Sequence, residues 1–119
     1  MDNAPTPTER ELEILAILWQ RGEATVREVY VAIRDHAPIV QNTVQSFLRT
    51  MEEKGLVSHR LEGRTFIYRP LHERHETGRH LVGRLLDRLY DGAIDQLVDN
   101  VLSIRQPTDQ EATQKTRPH

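Results

Sequence analysis

Cysteine is absent from the 119 residues, which removes disulfide scaffolds, thiolate metal sites and cysteine nucleophiles together. Long apolar runs are missing too. No stretch approaches the ~18 residues of a membrane span, and Met1 to Pro7 lacks the basic start and apolar core of a signal peptide. A soluble cytoplasmic protein with no membrane insertion is the expectation. No glycine-rich phosphate loop, His-Glu-x-x-His motif or nucleophile elbow occurs, and neither Ser46 nor Thr43 has a partner base in the sequence pattern that would activate it. Neither an enzyme nor a bound cofactor is expected.

A strong charge of either sign is also lacking, since 16 Lys and Arg face 18 Asp and Glu for a net charge of -2. That is not the average of a basic nucleic-acid binder. The distribution is uneven, however. From Val40 to Pro70 there are five cations (Arg49, Lys54, Arg60, Arg64, Arg69) against three carboxylates (Glu52, Glu53, Glu62), a local excess of two positive charges.

What is present is a succession of helix signals. Thr8 with Glu11 forms a capping box, followed by Leu12, Leu15, Ala16 and Trp19 with Ile14 and Leu18 beside them, and Gly22 stops the helix. Thr25 with Glu28 repeats the box, and Val26, Val29, Tyr30 and Ile33 form the stripe of a second helix ending before Pro38. In "QNTVQSFLRTMEEKGLV" the stripe is Val44, Phe47, Leu48 and Met51, with Gly55 as the stop. The period then changes: "LVSHRLEGRTFIYRP" gives two short β-prone runs about Glu62-Gly63, a hairpin closed by Pro70. Such a hairpin is marginal alone and must lean on the helices.

Three helices and a hairpin are the order of a winged helix-turn-helix, predicted over residues 7–71. A fourth helix from about Glu73 to Tyr90 carries Leu81, Val82, Leu85, Leu86 and Leu89, Asp91-Gly92 breaks it, and a fifth carries Ile94, Leu97, Val98, Val101 and Leu102. These apolar faces exceed what one pair of helices hides, and a chain that is 37% hydrophobic buries only a modest core at this length. Residues 72–104 are therefore expected to be a helical dimerisation region rather than a cover for the first domain. Residues 105–119, with almost nothing apolar, are expected to be a disordered tail. The fold class is mainly α with a small β-hairpin.

The third helix carries the most specific chemistry. Opposite its apolar stripe lie amides, hydroxyls and one guanidinium: Gln41, Asn42, Thr43, Gln45, Ser46 and Arg49. Asn and Gln suit adenine edges, Arg suits guanine or phosphate, and Ser or Thr serves donor or acceptor. The ordinary reading is a solvated helix face that happens to use amides; the two capped helices before it and the basic hairpin after it favour DNA. At the hairpin, Arg60 and Arg64 are placed for phosphate or minor-groove contact, against the plainer reading of solvated arginines. His72, His75 and His80 do not have the spacing for one metal and lack a completing Glu or Cys, so they read as surface histidines. Two heads on a two-fold axis would read a palindrome with half-sites a helical turn or a multiple of it apart.

These residues resemble the penicillinase-repressor family of bacterial winged-helix regulators, which includes repressors of β-lactamase and methicillin-resistance genes and copper-responsive relatives. The resemblance covers about residues 7 to 102 and rests on "PTERELEILAILW", Gly22 with "ATVREV", "NTVQSFL", "KGLV", Gly63-Arg64, Tyr68 and Pro70-Leu71, in that order. It implies a homodimeric repressor whose third helix reads the major groove of a palindromic double-stranded operator. The wing would touch the DNA backbone and the last helices would form the dimer. By position, Gln41, Asn42, Thr43, Gln45 and Ser46 correspond to the base-reading segment.

In the antibiotic-responsive members a membrane sensor with a zinc protease domain leads to cleavage after an Asn, in a motif similar to Leu97-Val98-Asp99-Asn100-Val101. The resemblance thus implies a sensor-linked protease as a partner and Asn100-Val101 as the cleaved bond. Cleavage would remove Val101 and Leu102, ~3 to 6 kcal/mol of burial per chain at most. Asn42 stands where many members have Thr, and Thr50-Met51 where Arg-Leu is common, so no operator sequence carries over. The cysteine cluster of the copper-responsive branch is missing, and so is the further amphipathic segment of the resistance repressors. The alternative to a DNA reader is a winged-helix protein-interaction module without sequence-specific DNA binding, which the near-neutral charge keeps open.

Overall fold

Two reciprocal capping boxes open the first two helices. The Glu11 N–H donates to the Thr8 hydroxyl at 3.2 Å and the Thr8 N–H to the Glu11 carboxylate at 2.8 Å. In the computed structural model, which describes residues 5–105, α1 (Glu9–Arg21) starts there. It stops at Gly22, whose N–H still reaches the Leu18 carbonyl at 2.7 Å while its φ of 89° turns the chain out of the helix. Thr25 and Glu28 make the same exchange at 3.1 and 2.9 Å and open α2 (Val26–Ile33).

Ala24 and Thr25 do a second job, as the short strand β1 (Ala24–Thr25). Beyond α3 (Gln41–Glu53) come β2 (Val57–Glu62) and β3 (Thr65–Pro70), antiparallel from Val57↔Pro70 to Glu62↔Thr65. β1 pairs with β3 through Ala24↔Tyr68 and Thr25↔Ile67, giving the order β1-β3-β2. The expected hairpin is present but belongs to a three-stranded sheet. A two-residue strand that is also a helix cap shows no alternation, which is why the sequence pattern reports only the cap. The turn is displaced by one residue from Glu62-Gly63: the register leaves Gly63 and Arg64 as the two loop residues. Gly63 has φ 64° and Arg64 is not in the positive-φ region, as a type II′ turn requires.

α3 ends in a Schellman motif. The Gly55 N–H (φ 83°) donates to the Glu52 carbonyl at 3.1 Å and the Leu56 N–H to that of Met51 at 2.8 Å, while the side chains of Met51 and Leu56 are both buried. The chain thereby turns straight from the helix into the wing.

The core collects Ile14, Leu15 and Leu18 of α1, Val29 and Ile33 of α2, Val44, Leu48 and Met51 of α3, and Leu56, Val57 and Tyr68 from the sheet region. Ala16, expected in the α1 stripe, is exposed, and the buried line runs through Glu11 instead. Glu11 is 3% exposed. Its carboxylate accepts from Lys54 Nζ at 2.6 Å, so the start of α1 is tied to the end of α3, and the ion pair explains a charge in an apolar line. The Trp19 indole N–H donates to the His72 carbonyl at 2.9 Å and binds α1 to the chain leaving the sheet.

The described residues divide into two compact units between His80 and Leu81. α4 (Arg74–Tyr90) runs through this point. In the second unit Asp91 (φ 50°) and Gly92 (φ 83°) turn the chain into α5 (Ile94–Arg105). The expected tail, 105–119, lies outside the described residues apart from the backbone of Arg105.

Burial pushes the Glu11 carboxyl up, but the Lys54 ammonium and the N–H and hydroxyl of Thr8 outweigh it and hold the group below its ordinary 4.5. A lowered folded pKa contributes stability that is complete above about 4.5 and is lost as pH falls through the lower folded value. Glu11→Gln keeps an acceptor for Thr8 and loses the ion pair. It is expected to cost about 1–2 kcal/mol at neutral pH, and its urea midpoint should fall less than the parent's between about pH 5 and pH 3. Equal acid-induced falls in the two proteins would show that Glu11 is not the group responsible.

Candidate nucleic-acid interface

α3 turns its polar side outward because Val44, Leu48 and Met51, all 0% exposed, are fixed in the core. At 100° per residue the direction opposite them falls on Asn42, Ser46, Arg49 and Glu53, all exposed. Gln41 and Gln45 flank this line on the side of the wing, and Thr43 on the side of α1. The first turn of α3 receives no side-chain cap from Val40, so its leading N–H groups have no side-chain acceptor at the cap position. Thirteen residues make a helix ~20 Å long, a length that lies readily in a B-form major groove.

Between α3 and the wing lies a groove of about 390 Å³, lined by Thr25, Val26, Arg27, Gln41, Gln45, Arg64, Thr65, Phe66 and Tyr68. It brings together three of the expected DNA-contacting residues, Gln41, Gln45 and Arg64, with Arg64 in the hairpin turn. Thr43 and Ser46 line a separate cleft with Thr8, Glu11, Phe47 and Thr50. Arg27 is the groove residue that the sequence reading passed over. It lies inside the second capping box, between Thr25 and Glu28, and an exposed arginine on the helix preceding a candidate reading helix is the available signal. Its guanidinium donates to the Gln41 amide oxygen at 3.1 Å and lies 5.7 Å from the Tyr30 ring centre.

Arg60 is not at the turn. It sits on β2 opposite Ile67 and is held by Glu23 at 2.8 Å and Glu62 at 3.3 Å. Hydrogen bonding to Arg60 draws the Glu23 carboxyl down against a smaller desolvation effect, and donation to Glu23 and then Glu62 raises Arg60 in turn. Nearer α3, the His59 ring stacks on Phe66 with centres 4.2 Å apart and planes 5° from parallel, and His59 Nδ1 lies 2.8 Å from the Glu52 carboxylate. This contact joins the wing to α3. Burial, with the Glu52 charge second and Arg49 opposing, raises the neighbouring Tyr68 phenol.

His72 and His80, expected to be surface histidines, are half-buried and line a small cavity of about 180 Å³ with Pro5, Leu56, Glu76 and Thr77. Among the described residues no group of three or more His, Cys, Asp or Glu is placed to hold a metal, and no described helix is long and apolar enough to cross a membrane.

In the second unit Leu97 is buried and Leu81 and Leu86 are half-buried. Val82, Leu85, Leu89, Ile94, Val98, Val101 and Leu102 are 44–64% exposed. Asn100 and Val101 lie inside α5, and the Asn100 amide donates to the Tyr90 hydroxyl.

Over residues 7–115 the chain matches the penicillinase repressor family. It is 26% identical over 102 residues to the penicillinase repressor of Bacillus licheniformis, spanning 86% of this chain and 80% of that protein. Among solved structures it is similar to the DNA-binding domain of the repressor BlaI, with a TM-score of 0.55 and 27% identity, covering 62% of this chain and 90% of that one. It is also similar to the monomeric form of Bacillus licheniformis BlaI in complex with the blaP half-operator, at a TM-score of 0.55 and 26% identity, covering 64% and 93%. A possible transcriptional regulator for arsenical resistance matches with a TM-score of 0.53 and 25% identity over 76% and 84% of the two chains.

Proposed function

The chain belongs to the penicillinase repressor family, and we propose that it is a sequence-specific DNA-binding transcriptional repressor acting as a homodimer on a palindromic operator. The observation that carries this reading is the outer side of α3, where amides and hydroxyls replace the usual Glu and Lys and the hairpin turn stands beside them across one groove. Residues 7–71 are the reading head. Within it Asn42, Gln45, Ser46 and Arg49 face bases, Gln41 and Thr43 flank them, and Arg64 at the turn meets a phosphate. Arg60 contributes to DNA contact only by exchanging a carboxylate partner for a phosphate. BlaI, a relative at about a quarter identity, has been seen on a half-operator, which agrees with one head per half-site.

Residues 72–104 are the dimerisation region. Support comes from the exposed apolar side chains of α4 and α5, which on an isolated chain form the kind of surface that recruits a partner. A second copy is the natural occupant, because two identical heads on a two-fold axis match an inverted repeat. Release of the operator by a sensor-linked protease cutting Asn100-Val101 completes the reading. The bond lies within a helix, so local unwinding of α5 would have to precede the cut.

Four outcomes test this. Duplexes selected from a random pool should share an inverted repeat with centres about one helical turn apart or a multiple of it. On that duplex Gln45→Ala should alter preference at one base pair by about 1–3 kcal/mol, while Arg64→Ala should weaken all duplexes alike and lower the salt slope by about 1. No enrichment, together with no binding to random duplex at low salt in fluorescence anisotropy, would instead support the protein-interaction module. Leu89→Glu should halve the mass found by sedimentation, and an unchanged mass would place the dimer contact elsewhere. In host cells exposed to a β-lactam, mass spectrometry should find a fragment ending at Asn100; a chain that stays intact while the operator is released would remove proteolysis from the mechanism.

A further inference from the structure

We propose that Arg27 is a positioning residue that fixes Gln41 as a hydrogen-bond donor toward an acceptor atom on the DNA, so that Gln41 does not read adenine bidentately. The inference rests on the DNA-binding reading above and adds a residue and a polarity to it.

The Gln41 amide oxygen accepts from Arg27 Nη1 at 3.1 Å. A guanidinium has five N–H donors and no acceptor, so the amide can face it only through its oxygen. The orientation of Gln41 is thus dictated by chemistry, where an amide in solvent could adopt either. With the oxygen drawn toward α2, the two N–H groups lie on the far side of the amide.

Arg27 is itself held in place. It lies one helical turn before Tyr30, and its guanidinium sits 5.7 Å from the centre of that ring. Gln41 is half-buried at the groove edge, whereas Gln45, one turn further along α3, is exposed. The two glutamines therefore differ in freedom although the sequence pattern treats them alike.

Bidentate pairing with adenine needs the amide oxygen and nitrogen presented side by side to N6 and N7. Gln45 has no such constraint imposed by Arg27. Gln41 offers donors, and what it meets is an acceptor: guanine O6 or N7, thymine O4, or a phosphate oxygen. These sources share one chemistry and are separated by the experiment.

The experiment is a double-mutant cycle on the duplex that the full chain selects from a random pool. It uses Arg27→Met, Arg27→Lys, Gln41→Met and the Arg27→Met/Gln41→Met double variant. Arg27→Met is expected to weaken binding roughly two- to tenfold and to have no further effect in the Gln41→Met background. Arg27→Lys retains a donor and should stay within about twofold of the parent. Single base-pair changes and single methylphosphonate substitutions then locate the acceptor: the site at which the penalty disappears in the Gln41→Met background is the atom Gln41 contacts, on a base or on the backbone.

The inference is overturned if Arg27→Met weakens every duplex equally, does so unchanged in the Gln41→Met background, and lowers the salt slope by about 0.9. Arg27 would then hold a phosphate directly. A parent chain that binds no duplex at low salt would overturn the DNA-binding reading, and this inference with it.

Discussion

Three side chains with no solvent exposure, Val44, Leu48 and Met51, set the rotation of α3 about its own axis. That setting decides which of the remaining ten residues of the helix face outward, and the rest of the interface depends on it. Each of the three contributes about 1.5–3 kcal/mol by leaving water, so a rotation of one residue, which would turn polar groups into the core, is heavily disfavoured. Rotation alone does not fix the helix along its length. The Lys54–Glu11 pair at 2.6 Å does that at one end, and the Schellman turn through Gly55 and Leu56 adds to it. Glu11 also closes the cap of α1, so a single buried carboxylate serves the start of the first helix and the end of the third.

The wing inherits its position from the same place. β2 begins at Val57, two residues beyond Gly55, and β3 is held on its other side by Ala24 and Thr25. Thr25 caps α2 as well, so the sheet, the second helix and the groove below them share one residue. The hairpin then needs few contacts of its own. His59 stacked on Phe66 and reaching Glu52 ties its middle to α3, and the turn at Gly63 and Arg64 remains exposed.

Much of this was legible in the residues. Two capping boxes, three stripes of helical period and a change to strand period after Gly55 are local signals, and each corresponds to an element, although α2 ends at Ile33, well short of the Pro38 that bounded it in the sequence. What escaped was set by partners far away in sequence. β1 is two residues long and is a strand only because β3 lies beside it. Glu11 is buried because Lys54, 43 positions away, reaches it. The separation of the polar face of α3 into a wing side and an α1 side follows from neighbours that a helical wheel does not include. Arg27 joined the groove in the same way: its place on α2 was a weak signal, and its role beside Gln41 shows only once that residue is folded against it.

Charge and apolar surface are complementary in such a chain. Of the five cations between Val40 and Pro70, Lys54 and Arg60 are already matched by Glu11, Glu23 and Glu62, and the whole chain is at -2. A DNA reader of this kind gains little from phosphate neutralisation, the sequence-independent and salt-dependent part of binding. One head alone is therefore expected to bind weakly, and non-specific DNA more weakly still. In the proposed homodimer, joining two heads through the exposed faces of α4 and α5 would make the second contact intramolecular, which multiplies affinity only where two half-sites have the right spacing. In that arrangement low charge would limit occupancy of the wrong sites, and the apolar face would restore it at the right one. An agent that loosens α5 would act on that multiplication and leave α3 untouched, which is a sufficient way to empty an operator without altering what the proposed reading helix recognises.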